Sequence, residues 1–192
     1  MIKEIELTNE DNFIKCFDHL YQDIISEYNF DYTMEKINVE REGRRIDNLF
    51  SCCFNADFVY SNYTLLENAI YELLYVNHIE ISTTKDINIE FILAKSHNET
   101  IVENNFVIHK DKDSRVDGDS YTIIIYLHTN CQGGELIFYE STLCSFEKTR
   151  AVDPNTHLSS NTKVVIFDGE IFHKPEPFYN GQRCAIVCQV SK

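Results

Sequence analysis

The chain has 192 residues, 43% hydrophobic and 25% charged, a balance that suits one soluble domain with its own buried core. Its 17 Lys and Arg stand against 31 Asp and Glu, giving a net charge of −14, and an acidic surface is repelled by a phosphate backbone. No run approaches the ~18 apolar residues that span a bilayer, and the start Met1-Ile2-Lys3-Glu4-Ile5-Glu6 lacks the apolar stretch of a secretory signal, so neither nucleic acid nor a membrane is an expected partner.

Two helices are predicted in the first half. Residues 9–28 place Phe13, Phe17, Leu20, Ile24 and Ile25 on an apolar stripe. The second helix is predicted to open at Thr64, with Glu67 three residues on as a capping box, and to run through Leu65, Leu66, Ala69, Ile70, Leu73 and Leu74. Between them, residues 29–62 follow no single period. The basic residues there, Arg41, Arg44 and Arg45, are interleaved with Glu40 and Glu42 and read as a solvated loop.

From residue 87 the pattern changes to short apolar or alternating runs: 87–94, 100–109, 121–128, 135–139, 163–167 and 183–190. Turn residues divide them, at Asp117-Gly118-Asp119, Gln132-Gly133-Gly134, Asp153-Pro154-Asn155 and Tyr179-Asn180-Gly181. Many short strands at this spacing predict a β-sandwich or barrel. The expectation is one domain over 1–192, with residues 1–80 as a helical support and 87–192 as the β core.

Seven cysteines are present, Cys16, Cys52, Cys53, Cys131, Cys144, Cys184 and Cys188. An odd number with two adjacent predicts free thiols in a reducing intracellular, cytoplasmic setting. Cys184 and Cys188 share a strand face with Ile186 and read as packed core thiols.

The chemistry lies in His109-Lys110-Asp111, followed about sixty residues later by His173 and ten further on by Arg183. Strand alternation points His109 and Asp111 the same way, so both can reach one ion. Asp113 would share that face and is a rival ligand if the strand continues. Two imidazoles and a carboxylate are the ligands of a facial iron(II) site that leaves positions open. Arg183 can hold a carboxylate with two parallel hydrogen bonds, or face solvent from an edge strand. His128, at a strand end, either approaches this site or sits in the following loop. No cysteine has the His partner and oxyanion hole of a nucleophilic site, and Gly133-Gly134 lacks the pattern of a phosphate loop.

Over residues 106–190 these pieces resemble the iron(II)/2-oxoglutarate-dependent dioxygenases, specifically the prolyl-4-hydroxylase-like branch. The matching segments are His109-Lys110-Asp111, the strand Tyr121 to His128, Gly133-Gly134-Glu135-Leu136, Val164-Val165-Ile166-Phe167, His173 and Gly181-Gln182-Arg183. The resemblance implies an α+β, mainly β fold: a double-stranded β-helix, or jelly roll, with N-terminal supporting helices. It implies Fe(II) on His109, Asp111 and His173, and the distal carboxylate of 2-oxoglutarate on Arg183. Tyr126 either supports that carboxylate or is a core aromatic. The implied reaction consumes O2 and 2-oxoglutarate, with ascorbate as a supporting reductant, and hydroxylates a C–H bond with release of succinate and CO2.

Two departures bear on the substrate. Many collagen-type members carry Lys where this chain has Arg183, and no added peptide-binding domain is evident. Nucleic-acid demethylases of the superfamily carry a second Arg six residues on, where this chain has Gln189. A protein or peptide substrate, at a prolyl or other side chain, is therefore expected first and a small molecule second. The rivals are a hydroxylase-like binding module acting through protein–protein contact and a cupin-like metalloenzyme.

Overall fold

The computed structural model describes residues 1–7, 15, 17, 19, 22, 39–41, 44–46, 49–53, 60–81, 87–96, 107–111, 119–156 and 162–192. Within them lie strands β1 (Ile2–Glu6), β2 (Val39–Arg41), β3 (Arg44–Ile46), β4 (Leu49–Cys53), β5 (Ile87–Ser96) and β6 (Ser120–Leu127). Then come β7 (Asn130–Gly133), β8 (Leu136–Ser141), β9 (Phe146–Val152), β10 (Thr162–Asp168), β11 (Phe172–Pro175) and β12 (Phe178–Ser191). Helix α1 spans Tyr60–Val76. Every described strand pair is antiparallel. The major sheet runs β1-β10-β6-β12-β5-β4, with β7 on the first part of β12; the minor sheet runs β11-β8-β9. This is the jelly roll expected from the sequence.

Three layers follow from which side chains are apolar. On one face of the major sheet, Ile123, Ile125, Leu127, Val164, Ile166, Cys184, Ile186, Cys188 and Val190 pack with Leu66, Ile70, Leu73 and Leu74 of α1. On the other face, Ile124, Tyr126, Val165, Phe167 and Ala185 meet Leu136, Phe138 and Val152 of the minor sheet. Strands covered on both sides cannot alternate apolar with polar, which is why β6 and β10 read as unbroken runs. Cys184 and Cys188 are fully buried on the α1 side, as packed core thiols.

Helix α1 is the second predicted helix, with a corrected start. It begins at Tyr60, so Thr64 is an exposed residue within it and caps nothing. Its end is a left-handed turn at His78 (φ 56°), where Ile79 N–H donates to Leu74 O at 3.0 Å and the Ile79 side chain is buried. Of the first predicted helix, Lys15, Phe17, His19 and Gln22 are described and helical; Phe17 is buried while the other three are exposed. The rest of that stripe lies outside the described residues. No helix among them is long and apolar enough to cross a membrane.

Several strands carry no periodic signal. Arg41, Arg44 and Arg45, expected in a loop, lie on the β2–β3 hairpin. Strands β1 and β4, from the part expected to be helical, add to the major sheet beside β10 and β5. Strand β9 is polar because six of its seven residues face solvent at the edge of the minor sheet.

Strand β12 starts earlier than predicted and is broken by a bulge between Tyr179 and Gln182. Gly181 sits there at φ 134°, and a Cβ on it would lie 1.9 Å from Asn130 O, so no larger residue fits. The extra residue re-phases the strand. Past it, Arg183, Ala185, Val187 and Gln189 take the face toward the minor sheet.

Candidate metal centre

The three predicted ligands converge. Ligand atoms of His109, Asp111 and His173 all lie within 4.8 Å of one another. His173 is carried by β11, which pairs with β8. His109 joins it by a two-residue bridge: His109 N–H donates to His173 O at 3.1 Å and His173 N–H to His109 O at 2.9 Å. Asp111 N–H donates to Gly169 O at 3.1 Å, which ties the third ligand to the β10–β11 turn. On the outer side, Lys110 Nζ pairs with Glu170 Oε2 at 2.9 Å and holds the same two segments together. The sequence rival Asp113 lies outside the described residues.

Both imidazoles are set for metal binding. His109 Nδ1 is 2.9 Å from Val107 O, and His173 Nδ1 is 3.1 Å from Ile171 O. A carbonyl only accepts, so each Nδ1 carries a hydrogen, and each Nε2 offers its lone pair to an ion once it is unprotonated. Those Nε2 atoms lie 3.4 Å from Asp111 Oδ1 and 3.4 Å from Asp111 Oδ2, respectively. The donor set suits a divalent first-row ion with open positions. His173 is buried, edge-on to Phe167 at 4.7 Å, with Phe138 behind. These buried rings form an apolar wall beside His173.

Thr122 was not singled out by the sequence. Its hydroxyl, fully buried, donates to Asp111 Oδ2 at 2.8 Å. The available signal was a polar residue at an inward position of β6, in step with Ile124 and Tyr126.

Protonation follows from these contacts. Burial pushes Asp111 upward, but the hydrogen bond from His109, the charge of His173 and the Thr122 hydroxyl together hold it below the ordinary carboxylate range. The Asp111 hydrogen bond raises His109 against its burial. Burial lowers His173, helped by repulsion from His109 and opposed by Asp111. In the metal-free chain, the His109 contribution to stability is therefore complete below 6.5 and lost as pH rises through its folded value. The Asp111 contribution is present above 3.8 and lost as pH falls through its folded value.

An ion must displace the His109 proton. Affinity for Mn(II) should thus rise with pH below the folded pKa of His109, by up to about tenfold per unit, and flatten above it. Titrations from pH 6 to 8 check this; a flat profile would mean that His109 is no ligand.

Arg183 is buried, 7% exposed, on the inner face of β12, and does not face solvent from an edge strand. Its Nη1 donates to Glu176 O at 3.2 Å and Gly134 O at 3.4 Å, and its guanidinium lies 5.1 Å from the Phe178 ring centre. Tyr126 faces the same space from β6. It pairs with Ala185, so Arg183 is its diagonal neighbour on one face. Burial pushes the Tyr126 phenol up to about 12, against the pull of Arg183, so it stays a neutral donor. Thr122 and Tyr126 are four residues apart on β6, about 13 Å between Cα atoms. His128 turns away after β6, at φ 45°, and its carbonyl accepts from Gln182 Nε2 at 2.9 Å.

No protein-family model and no curated protein matches this sequence. Solved structures do match in fold. The prolyl hydroxylase of Trichoplax adhaerens, in complex with a hypoxia-inducible-factor oxygen degradation domain peptide fragment, is 14% identical with TM-score 0.58, covering 99% of this chain and 83% of that one. The Pseudomonas putida prolyl-4-hydroxylase is 16% identical with TM-score 0.51, covering 100% and 92%. The viral collagen prolyl hydroxylase of Paramecium Bursaria Chlorella virus-1, in its 2OG complex, is 14% identical with TM-score 0.51, covering 100% and 96%. At these identities the likeness shows a shared fold.

Proposed function

We propose that this chain is an iron(II)- and 2-oxoglutarate-dependent dioxygenase that hydroxylates a C–H bond, at a prolyl or other side chain of a protein. The observation that carries this reading is one inner face with two ends. At one, His109, Asp111 and His173 meet; at the other, Arg183 and Tyr126 are buried. The fold is that of prolyl hydroxylases, and one structure sharing it holds a peptide fragment, which supports a peptide substrate.

When bound, Fe(II) with 2-oxoglutarate and O2 supplies the oxidising power, coupling loss of CO2 and formation of succinate to the hydroxylation. The protein's part is placement. His109 and His173 present Nε2, and Asp111 presents an ionised carboxylate. Arg183 grips the distal carboxylate of the diacid with its planar fork, and Tyr126 donates its phenolic hydrogen there. Phe138, Phe167 and Val165 exclude water between the two ends.

The test is anaerobic loading with Fe(II), then succinate measured with 2-oxoglutarate and O2 across proline-containing peptides. Peptide-dependent succinate is expected. Iron binding without succinate for any peptide would favour a protein-binding module, and succinate driven only by small molecules would move the substrate class.

A further inference from the structure

Resting on that reading of the metal centre, we infer that Thr122 is a positioning residue that holds Asp111 to one-oxygen coordination and so keeps the remaining positions of the ion open. A carboxylate can bind a metal through one oxygen or both. Here each Asp111 oxygen lies 3.4 Å from one imidazole, Oδ1 from His109 Nε2 and Oδ2 from His173 Nε2, but only Oδ2 also accepts the Thr122 hydroxyl, at 2.8 Å. The hydrogen bond occupies a lone pair of Oδ2, lowers its donor strength and fixes the carboxyl torsion.

The donor itself is rigidly held. Thr122 is fully buried at the centre of the major sheet, pairing with Phe167 on β10 and with Gln189 on β12. Its branched side chain has little rotamer freedom in a strand. The main chain adds a second restraint, since Asp111 N–H is bound to Gly169 O and Gly169 N–H to Ser120 O at 2.9 Å. Asp111 is thus anchored from β6 at both its backbone and its side chain.

Thr122→Val keeps the shape and removes the hydroxyl, and Thr122→Ser keeps the hydroxyl. Mn(II) affinity of the full chain should fall about tenfold or more in Thr122→Val, and Thr122→Ser should stay within about threefold of wild type. The Co(II)-loaded chain reports coordination directly through its d–d absorption, which should change in Thr122→Val and return in Thr122→Ser. Should Thr122→Val fail to fold, Thr122→Ala, smaller and also without a hydroxyl, takes its place with the same expectation. Equal affinity and unchanged Co(II) spectra in the folded Val or Ala variant would overturn the role of Thr122 alone. A wild-type chain that binds neither ion would overturn it together with the metal centre.

Discussion

Replacing His173 by alanine should abolish succinate formation, with a residual rate below about one-hundredth of wild type, because loss of a ligand exceeds the roughly 10–100-fold cost of losing a ligand's support. Two donors remain in His173→Ala, His109 and Asp111, and they lie on one short segment. The ion would be both weakly held and wrongly oriented. His173 also packs edge-on against Phe167, so its removal leaves a small cavity. Mn(II) titration separates the two effects: a folded variant should bind the ion far more weakly. Wild-type turnover in His173→Ala would remove the metal assignment entirely.

Arg183→Ala should act on the co-substrate rather than the metal. Truncating one partner of a buried charge pair costs about 3 kcal/mol, or roughly a hundredfold rise in the 2-oxoglutarate needed for half-maximal rate. Mn(II) affinity should hardly move. A purely structural role is excluded by comparing 2-oxoglutarate with a 2-oxo acid that lacks the distal carboxylate. The wild type should discriminate strongly between them and Arg183→Ala hardly at all. Arg183→Lys, which keeps charge but loses the planar fork, should fall between. Unchanged discrimination in Arg183→Ala would place the diacid elsewhere.

How much of this was legible in the residues depends on what each element must satisfy. Strands β6 and β10 announce themselves because both their faces are buried, and α1 because one of its faces is. The convergence of His109, Asp111 and His173 is legible because ligand chemistry restricts residue type and because alternation puts His109 and Asp111 on one side. Strand β9 is silent because its exposed positions accept any polar residue. Strand β1 is silent for a different reason: an edge position beside β10 leaves its burial mixed. The start of α1 is misplaced because Thr64-x-x-Glu67 matches a cap pattern that the helix overrides by beginning sooner. Thr122 escapes because nothing local marks a threonine in a strand as the partner of a carboxylate eleven residues earlier.

The mutual main-chain bridge between His109 and His173 makes the two imidazoles a single mechanical unit. Each residue is the other's backbone partner, so any parting of these segments draws both nitrogens from the ion in the same event. Coordination at this centre is then lost in one step rather than ligand by ligand. An ion seated there would, in turn, tie these two segments to each other through their side chains as well as their backbones.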